Sequence, residues 1–278
     1  MPTIESLLHG LVLEPDGPGR YRADNIDTGP GVVFGGQLLA QTIAAAGLEH
    51  PDKRVKTVHT IFARGGNVDR GVEVTVDVMH AGRAFASSTV TISQGDRLCT
   101  RSLVLLSADE PDLIRHADAM PAVGRPDDAP GGTHGTGSWE IRTVGGVDIS
   151  DPDAVGPAEL DVWTRFVGAP DDPGTSQALL AFATDGFLIG TAMRPHPGVG
   201  QAQAHHTLST GVVSHTLTFH EPFSAADWLL LSHRSPYAGR GRSYGRADVF
   251  RTDGALVASF VQDNMIRPIP EGRTASAL

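Results

Sequence analysis

Two segments of the chain are apolar on nearly every side, and each precedes a run of strand-like segments. They are FGGQLLAQTIAAAGL at 34–48 and SQALLAFATDGFLIGTAM at 176–193, and neither contains proline. A helix with this pattern is buried all round. Alternation and β-branched residues predict four strands after each helix, at 55–63, 72–80, 84–93 and 98–107, then at 212–220, 228–235, 244–252 and 256–264. A helix can cover one face of an antiparallel sheet, so we predict an α+β fold with two sheets, each wrapped around a central helix.

The two halves can be laid over each other as an internal duplication. GRAFASSTVTISQGD begins at Gly82 and GRSYGRADVFRTDGA begins at Gly241, an offset of 241 − 82 = 159. VHTIF and SHTLTF match at the slightly different offset 215 − 59 = 156. Because the helix and strands occur in the same order in both halves, duplication is a better explanation than chance. We expect repeats at 1–107 and 139–268, a Pro- and Gly-rich linker at 108–138, and a flexible tail at 269–278.

One amide interrupts the apolar face of the last predicted strand. Leu256, Ala258 and Phe260 alternate, and Gln262 continues their face. At offset 159, Gln262 corresponds to Leu103, since 262 − 159 = 103. A buried amide without partners costs about 1–3 kcal/mol, so Gln262 requires local partners or a wet site. The alternative is a strand end that reaches water, because Asp263 and Asn264 follow.

Composition narrows the classes of function. The formal net charge of −10 argues against a general nucleic-acid binder, which would show a basic face. Cys99 is the single cysteine, so there is no intrachain disulfide. The sequence starts without a basic region before an apolar run, and the most apolar stretch carries Asp185 and is too short to span a bilayer. We therefore expect a cytoplasmic protein with no membrane span.

Six fragments together resemble the acyl-CoA thioesterase II family. They are FGGQLLAQ, TVHTIFARGG, EIRTVGG, PDDPGTSQALLAFATDG, FHEPFSAADWLL and DGALVASFVQ, and the resemblance extends from about Gly31 to Arg267. It implies a double hotdog fold, with two hotdog repeats in one chain. It also implies hydrolysis of fatty acyl-CoA to free acid and CoA, without a metal or organic cofactor.

The resemblance also implies a catalytic set of one Asp, one Thr or Ser, and one Gln that hold and polarise water. The family's Asp falls on Asp185 in FATDG, and its Gln falls on Gln262 in ASFVQ. The Thr or Ser position falls on Val212, a departure from the family pattern. Ser214 is two residues further along the strand and is expected on the same face, so we predict it as the replacement hydroxyl, with Thr210 as another nearby hydroxyl.

Four residues at the start of the first helix are candidates for substrate binding. Gly35 and Gly36 would let a substrate approach the helix N-terminus, whose free N–H groups can stabilise developing negative charge. Gln37 and Gln41 are spaced i, i+4 and share a helix face, where the alternative is a solvated stripe.

Other polar residues give weaker indications. His59 and His215 match across the repeats, and we expect structural roles for both. His215 and His220 should lie on opposite faces of a strand and no HExxH motif is present, so no metal site is predicted. Arginines near predicted turns are candidates for the CoA phosphates, and the sequence does not choose among Arg64, Arg83, Arg240 and Arg242.

Three functions are compatible with these features. The leading hypothesis is an acyl-CoA thioesterase in which Asp185 and Gln262 hold the water. The strongest alternative is a non-catalytic double hotdog protein that binds acyl-CoA or an acyl chain, which Val212 favours. A hotdog hydratase or dehydratase would pair an Asp with a His in a recognisable loop, and the sequence has no such pairing. We expect acyl-CoA as the partner and a homo-oligomer as the assembly.

Overall fold

The fold combines a large antiparallel sheet with a few helices. The computed structural model describes residues 2–26, 28, 31–129 and 137–270. In the first half the elements are α1 (Ile4–Gly10), β1 (Glu14–Pro15), β2 (Arg20–Ala23), α2 (Gly35–Glu49), β3 (Arg54–Phe62), β4 (Val72–Ala81), β5 (Phe85–Gln94) and β6 (Arg97–Ser107). In the second half they are β7 (Trp139–Thr143), β8 (Glu159–Phe166), α3 (Pro173–Thr184), α4 (Leu188–Met193), β9 (Leu208–Phe219), β10 (Leu229–Gly239), β11 (Arg242–Arg251) and β12 (Leu256–Pro268). Short 3₁₀ helices lie at Pro126–Asp128, Val144–Gly146 and Gln201–Gln203.

All twelve strands in the described part of the chain form one antiparallel sheet. Its order is β1-β2-β4-β5-β6-β3-β9-β12-β11-β10-β8-β7. Matching β2 to β8, β3 to β9, β4 to β10, β5 to β11 and β6 to β12 makes the order the same from either end. The halves meet where β3 pairs with β9, from Thr57 opposite Thr218 to Ile61 opposite Ser214. The same order of elements on each side of this junction supports the predicted duplication.

Helices α2 and α3 lie side by side in the core and are buried along most of their length. Gly36 permits their close approach, since a Cβ there would lie 2.3 Å from the Phe182 carbonyl oxygen. Helix α3 begins after Asp172, whose Oδ2 accepts a hydrogen bond from the Thr175 N–H at 2.7 Å. Both helices therefore form as predicted from their apolar sequences, although the segment 176–193 is divided into α3 and α4.

The eight predicted strands are confirmed with small differences at their ends, and several short elements were missed. The missed elements are α1, β1, β2, β7 and β8. Strand β8 does not alternate cleanly, because Val162, Trp163 and Thr164 are all buried. One face of β8 packs on the core, and the other is covered by the segment that follows β6, through Met120, Val123 and Ala129. A strand buried on both faces lacks the period-two pattern used for the prediction.

The ungapped overlay of the halves is wrong at the level of single residues. Leu103 is 53% exposed whereas Gln262 is 1% exposed, so the two side chains lie on opposite faces. His59 is likewise partly exposed whereas His215 is fully buried. Within the overlaid segments the register shifts at different points, between Ile92 and Ser93 in the first half and between Val249 and Phe250 in the second. Since side chains alternate, an odd error in register exchanges the two faces. Gln262 nevertheless continues the buried face of Ala258 and Phe260, as predicted.

The later part of the predicted linker, from Met120 to Ala129, packs on the outer face of the second half of the sheet. Ala129 is buried against Trp163, Leu230 and Phe250, with the partly buried Met120 and Val123 beside them. Residues 130–136 of the linker and 271–278 of the predicted tail lie outside the described residues. Within the described ranges, no helix is long and apolar enough to cross a membrane.

Candidate active site

A break between α3 and α4 positions Asp185. Helix α3 ends at Thr184, Asp185 takes the C-cap position, and Gly186 precedes the second helix. The chain bends here beside the N-terminus of α2. The Gly36 N–H donates to Asp185 Oδ2 at 3.0 Å. A Cβ on Gly35 would lie only 2.7 Å from the same oxygen, so both glycines allow the carboxylate to approach α2.

The surroundings of Asp185 favour the protonated form of its carboxyl group, compared with an aspartate exposed to water. Burial raises the pKa of Asp185 to about 7, against a smaller lowering by the hydrogen bond from Gly36. The residue keeps some surface toward a pocket, whereas Oδ1 is buried and has no hydrogen-bond partner among the described residues. A carboxylate with a pKa near neutrality and one unpaired oxygen is suited to proton transfer.

Gln262 reaches the same break from the last strand. Its Nε2 donates to the Thr184 carbonyl oxygen at 3.2 Å, next to Asp185 in the chain. Its Oε1 is buried, and the described part of the protein offers it no hydrogen-bond partner. The strand-end alternative is therefore wrong for Gln262, because β12 continues to Pro268 and the side chain is buried away from bulk solvent. The structure brings Asp185 and Gln262 together at one end of α3.

Two buried histidines lie below this site. His215 Nε2 and Thr184 Oγ1 are 2.9 Å apart, and the imidazole stacks on Phe260. Burial, with a smaller effect from His59, lowers the pKa of His215 to about 3, and burial lowers the pKa of His233 to about 4. Both rings are therefore neutral near pH 7. His215 fixes Thr184, whose carbonyl in turn holds Gln262.

Ser214 does not reach the site. Strand β9 has a bulge at Val213, since Asp263 pairs with Ser214 whereas the next residue of β12, Asn264, pairs with Val212. The bulge puts Val212 and Ser214 on different faces, and Ser214 Oγ donates to Asp263 Oδ2 on the outer face at 2.9 Å. The expectation that Ser214 shares the face of Val212 is wrong for this reason.

A pocket of about 740 Å³ opens beside Asp185, between the two halves of the chain. Both halves contribute to its wall, among them Phe34, Gly35, Leu38, Phe62, Arg64, Asp185, Ile189, His205, Thr210 and Val212. Most of these side chains are apolar, and Arg64 is the one candidate arginine among the lining residues described. The pocket therefore combines an apolar wall, a carboxylate and a cation.

The opposite ends of the two core helices border a second pocket, of about 470 Å³. The carboxylate there, Asp172, caps α3, and its hydrogen bonds to Thr175 lower its pKa. A capping carboxylate with a lowered pKa is a poor base near neutrality. The two ends of the helix pair thus differ chemically, and the Asp185 end has the groups suited to proton transfer.

Gln37 and Gln41 are structural residues, contrary to the prediction of substrate contact. Gln37 Oε1 accepts from the Ile26 N–H at 2.8 Å, and its Nε2 donates to Asn25 Oδ1 at 2.9 Å. Gln41 Nε2 donates to the Gly10 carbonyl oxygen at 2.9 Å. Both side chains are fully buried and tie the N-terminal segment to α2. The prediction that the two amides share a helix face is confirmed, but that face contacts the protein's own backbone rather than a substrate.

We expect Gln37→Ala to lower the free energy of unfolding by about 2–3 kcal/mol, because the buried Ile26 N–H loses its acceptor. Urea unfolding followed by circular dichroism measures the change. Leu48→Ala is the control in the same helix, since Leu48 is 54% exposed and its truncation should have a small effect. An unfolding free energy unchanged in Gln37→Ala would show that this amide does not hold the N-terminal segment.

Sequence reasoning missed two residues of the site, Thr184 and Asn264. Thr184 directly precedes Asp185, and its carbonyl and hydroxyl both hold site residues. Asn264 is fully buried two residues after Gln262. That spacing was a usable signal, because residues i and i+2 of a strand share a face. Across the residues that the structure describes, no group of three or more His, Cys, Asp or Glu side chains could hold a metal ion.

Comparison with known proteins identifies the class. Residues 23–107 match the model of the acyl-CoA thioesterase N-terminal domain, and 116–266 match that of the C-terminal domain. The chain is 27% identical to acyl-CoA thioesterase 2 of Haemophilus influenzae, over 95% of this chain and 98% of the relative. The crystal structure of an acyl-CoA thioesterase II from Mycobacterium marinum has a TM-score of 0.81 and 28% identity, covering 96% of this chain and 100% of the other.

A further solved structure bears on the fold alone. A protein with a hot dog fold from Alicyclobacillus acidocaldarius has a TM-score of 0.75 at 19% identity, covering 94% of this chain and 98% of the other. The family match identifies the chain as a thioester hydrolase, and its fold is similar to that of a hotdog protein. The chain belongs to the acyl-CoA thioesterase family, as the sequence resemblance indicated.

Proposed function

We propose that the protein hydrolyses fatty acyl-CoA with a water molecule held by Asp185 and Gln262. The observation that carries this proposal is a pair of unpaired, buried oxygens, Asp185 Oδ1 and Gln262 Oε1, on two side chains joined through Thr184. Buried polar atoms normally have partners, and a water molecule with two to four polar neighbours can supply them. Water is also the second substrate of thioester hydrolysis.

The chemistry follows from the protonation states of these groups. Asp185 as the carboxylate takes a proton from the water, while Gln262 Oε1 accepts the other O–H and fixes its direction. The water oxygen bonds to the acyl carbon, the C–S bond breaks, and the CoA sulfur leaves as a thiolate that receives the proton from Asp185. The N-terminus of α2 at Gly35 lines the pocket, where its partial positive charge would stabilise the oxyanion.

The pocket supports an acyl-CoA substrate. Phe34, Phe62 and Ile189 offer an apolar wall for an acyl chain, and Arg64 offers a cation for the CoA phosphates. As part of the same proposal, the fold is a double hotdog with units at 1–107 and 139–268, which the symmetric order of strands supports. The cytoplasmic location and the homo-oligomer stay predictions.

One observation favours a second candidate, a double hotdog protein that binds acyl-CoA without hydrolysing it. Val212 lines the pocket at the position where the resemblance implies a hydroxyl. Without a third polar group, the water would be less firmly held and turnover slower. Both candidates require acyl-CoA binding, so binding alone does not separate them.

Release of free CoA from short, medium and long acyl-CoAs tests the proposal. A thioesterase of this kind gives turnover that depends on chain length, because the pocket wall contacts the chain. No release across the panel, together with a melting temperature raised by acyl-CoA, would favour the binding protein. Neither release nor stabilisation would contradict both candidates.

We expect the rate of CoA release to rise with pH and to level off above about 7. The carboxylate is the active form of Asp185, and burial raises its pKa to about 7, so the active fraction increases as pH passes through that value. The profile of kcat between pH 5 and 9 measures this midpoint. A profile flat across that range would show that Asp185 does not act as the base.

A further inference from the structure

Asn264 lies directly across the strands from Val212. The two residues pair between β12 and β9, directly beside the bulge at Val213. Asn264 follows Gln262 by two residues on the same buried face, about 7 Å further along the strand. The side of the site that Val212 leaves apolar therefore has an amide as its nearest neighbour in the adjoining strand.

The Asn264 amide is only half satisfied. Nδ2 donates to Ser243 Oγ at 3.3 Å, while Oδ1 is buried without a hydrogen-bond partner in the described parts of the chain. A hydroxyl both donates and accepts, so Ser243 can serve either end of the amide. Asn264 can accordingly present its oxygen or its nitrogen to a neighbour. An unpaired end costs about 1–3 kcal/mol, which a bound water would offset.

The unpaired hydrogen-bonding atoms of the site match the donors and acceptors of one water molecule. Asp185 Oδ1 and Gln262 Oε1 are both unpaired acceptors, and each takes one O–H of the water. The water oxygen has two lone pairs. One must face the acyl carbon, and the other needs a donor to fix the orientation. Asn264 Nδ2 is such a donor when the amide is rotated by 180°, so that Oδ1 accepts from the Ser243 hydroxyl and Nδ2 takes the place of the unpaired oxygen.

We propose that Asn264 is the third water-holding residue, supplying from β12 the polar group that Val212 does not supply from β9. This inference rests on the proposed function and adds a residue to the same site. In this assignment Val212 and Asn264 compensate for each other, because the polar side chain is on β12 instead of β9. Thr210, another hydroxyl among the lining residues, pairs with Ile266, which is two residues further along β12 than Asn264.

Kinetics of four proteins test the proposal: wild type, Asn264→Ala, Val212→Thr, and the double variant. Asn264→Ala should lower kcat about tenfold or more with KM within about twofold, since the water rather than the substrate loses its partner. The double variant should recover at least half of the lost log kcat, because the Thr hydroxyl restores a donor. Thr252→Val, a control at an exposed hydroxyl outside the pocket, should keep the wild-type kcat.

Three kinetic results would overturn the assignment. They are a wild-type kcat in Asn264→Ala, a loss that matches the loss of folded protein by circular dichroism, and no recovery in the double variant. A high-resolution crystal structure of the wild type tests the site independently of turnover. A water within hydrogen-bond distance of Asp185, Gln262 and Asn264 supports the proposal, and a dry site overturns it. An inactive wild type with this water in place would contradict the proposed function alone.

Discussion

Asp185→Asn is expected to lower kcat for CoA release by about a hundredfold or more, which is the range that a general base contributes. The substitution keeps the shape of the side chain and an acceptor for the Gly36 N–H. It removes the group that takes the proton from water. The measurement is kcat for the acyl-CoA of the panel that the wild type hydrolyses fastest. Gln262→Ala should lower kcat by a smaller factor, because it loses water orientation and keeps the base.

Asp172→Asn is the matched control for this substitution. Asp172 lies at the other end of α3, and asparagine is an equally good N-cap. We expect its kcat within about twofold of wild type. Unreduced turnover in Asp185→Asn would remove Asp185 from the mechanism, even with the fold correct.

The stability of Asp185→Asn should show whether its loss of activity comes from loss of the base or from loss of folded protein. The folded pKa of Asp185 is raised from 3.8 to about 7, so the folded protein binds this proton more tightly than the unfolded chain does. Its contribution to stability is therefore present at low pH and declines as pH rises from about 4 to about 7. Asp185→Asn removes this decline, so the inactive variant should be at least as stable as the wild type above pH 7.

Gly36→Ala is expected to destabilise the protein by about 3 kcal/mol or more, at the upper end of overpacking effects. The added Cβ would lie 2.3 Å from the Phe182 carbonyl oxygen, which is backbone and cannot rotate away. Helices α2 and α3 are buried on most sides, so separating them disturbs the core on both. The shift would also weaken the hydrogen bond from Gly36 to Asp185. Thermal unfolding should show a fall in Tm of about 6 °C or more.

Gly47→Ala in the same helix provides the control. A Cβ at Gly47 has no described atom within 4 Å, so the substitution adds helix propensity without a clash. We expect stability unchanged or increased by up to about 1 kcal/mol. Equal Tm values for the two variants would mean that close packing of α2 on α3 does not depend on Gly36.

The elements that the sequence predicted best are those whose pattern is local. The two central helices are apolar on all sides, and the eight predicted strands each span nine residues or more. Register is not local, because the bulge between Ser214 and Val212 depends on how β9 meets β12. The periodicity of the sequence does not indicate this bulge, whose one extra residue places Ser214 on the outer face. The same limitation made the repeat overlay place Leu103 against the buried Gln262.

The site was predicted in part for the same reason. Asp185 and Gln262 came from the family resemblance, and the structure places both beside Thr184. Gln37 and Gln41 have the spacing of a helix face, but which surface that face meets depends on the path of the N-terminal segment. Whether an amide contacts substrate or backbone is a tertiary property. No single-sequence pattern reports it.

The symmetric sheet order also determines where another chain could pair with the sheet. A twelve-stranded sheet has only two edges, and here they are β1 and β7. Strand β1 spans two residues and includes Pro15, which has no N–H to offer, and β7 spans five residues. The terminal strands therefore give another chain little backbone to pair with, whereas β4 after Val76 and β10 after Ser235 extend past β2 and β8 without a described partner on that side. Joining the two halves through β3 and β9 thus gives one broad sheet, whose backbone available for further pairing lies mainly on the ends of β4 and β10 rather than on the short terminal strands.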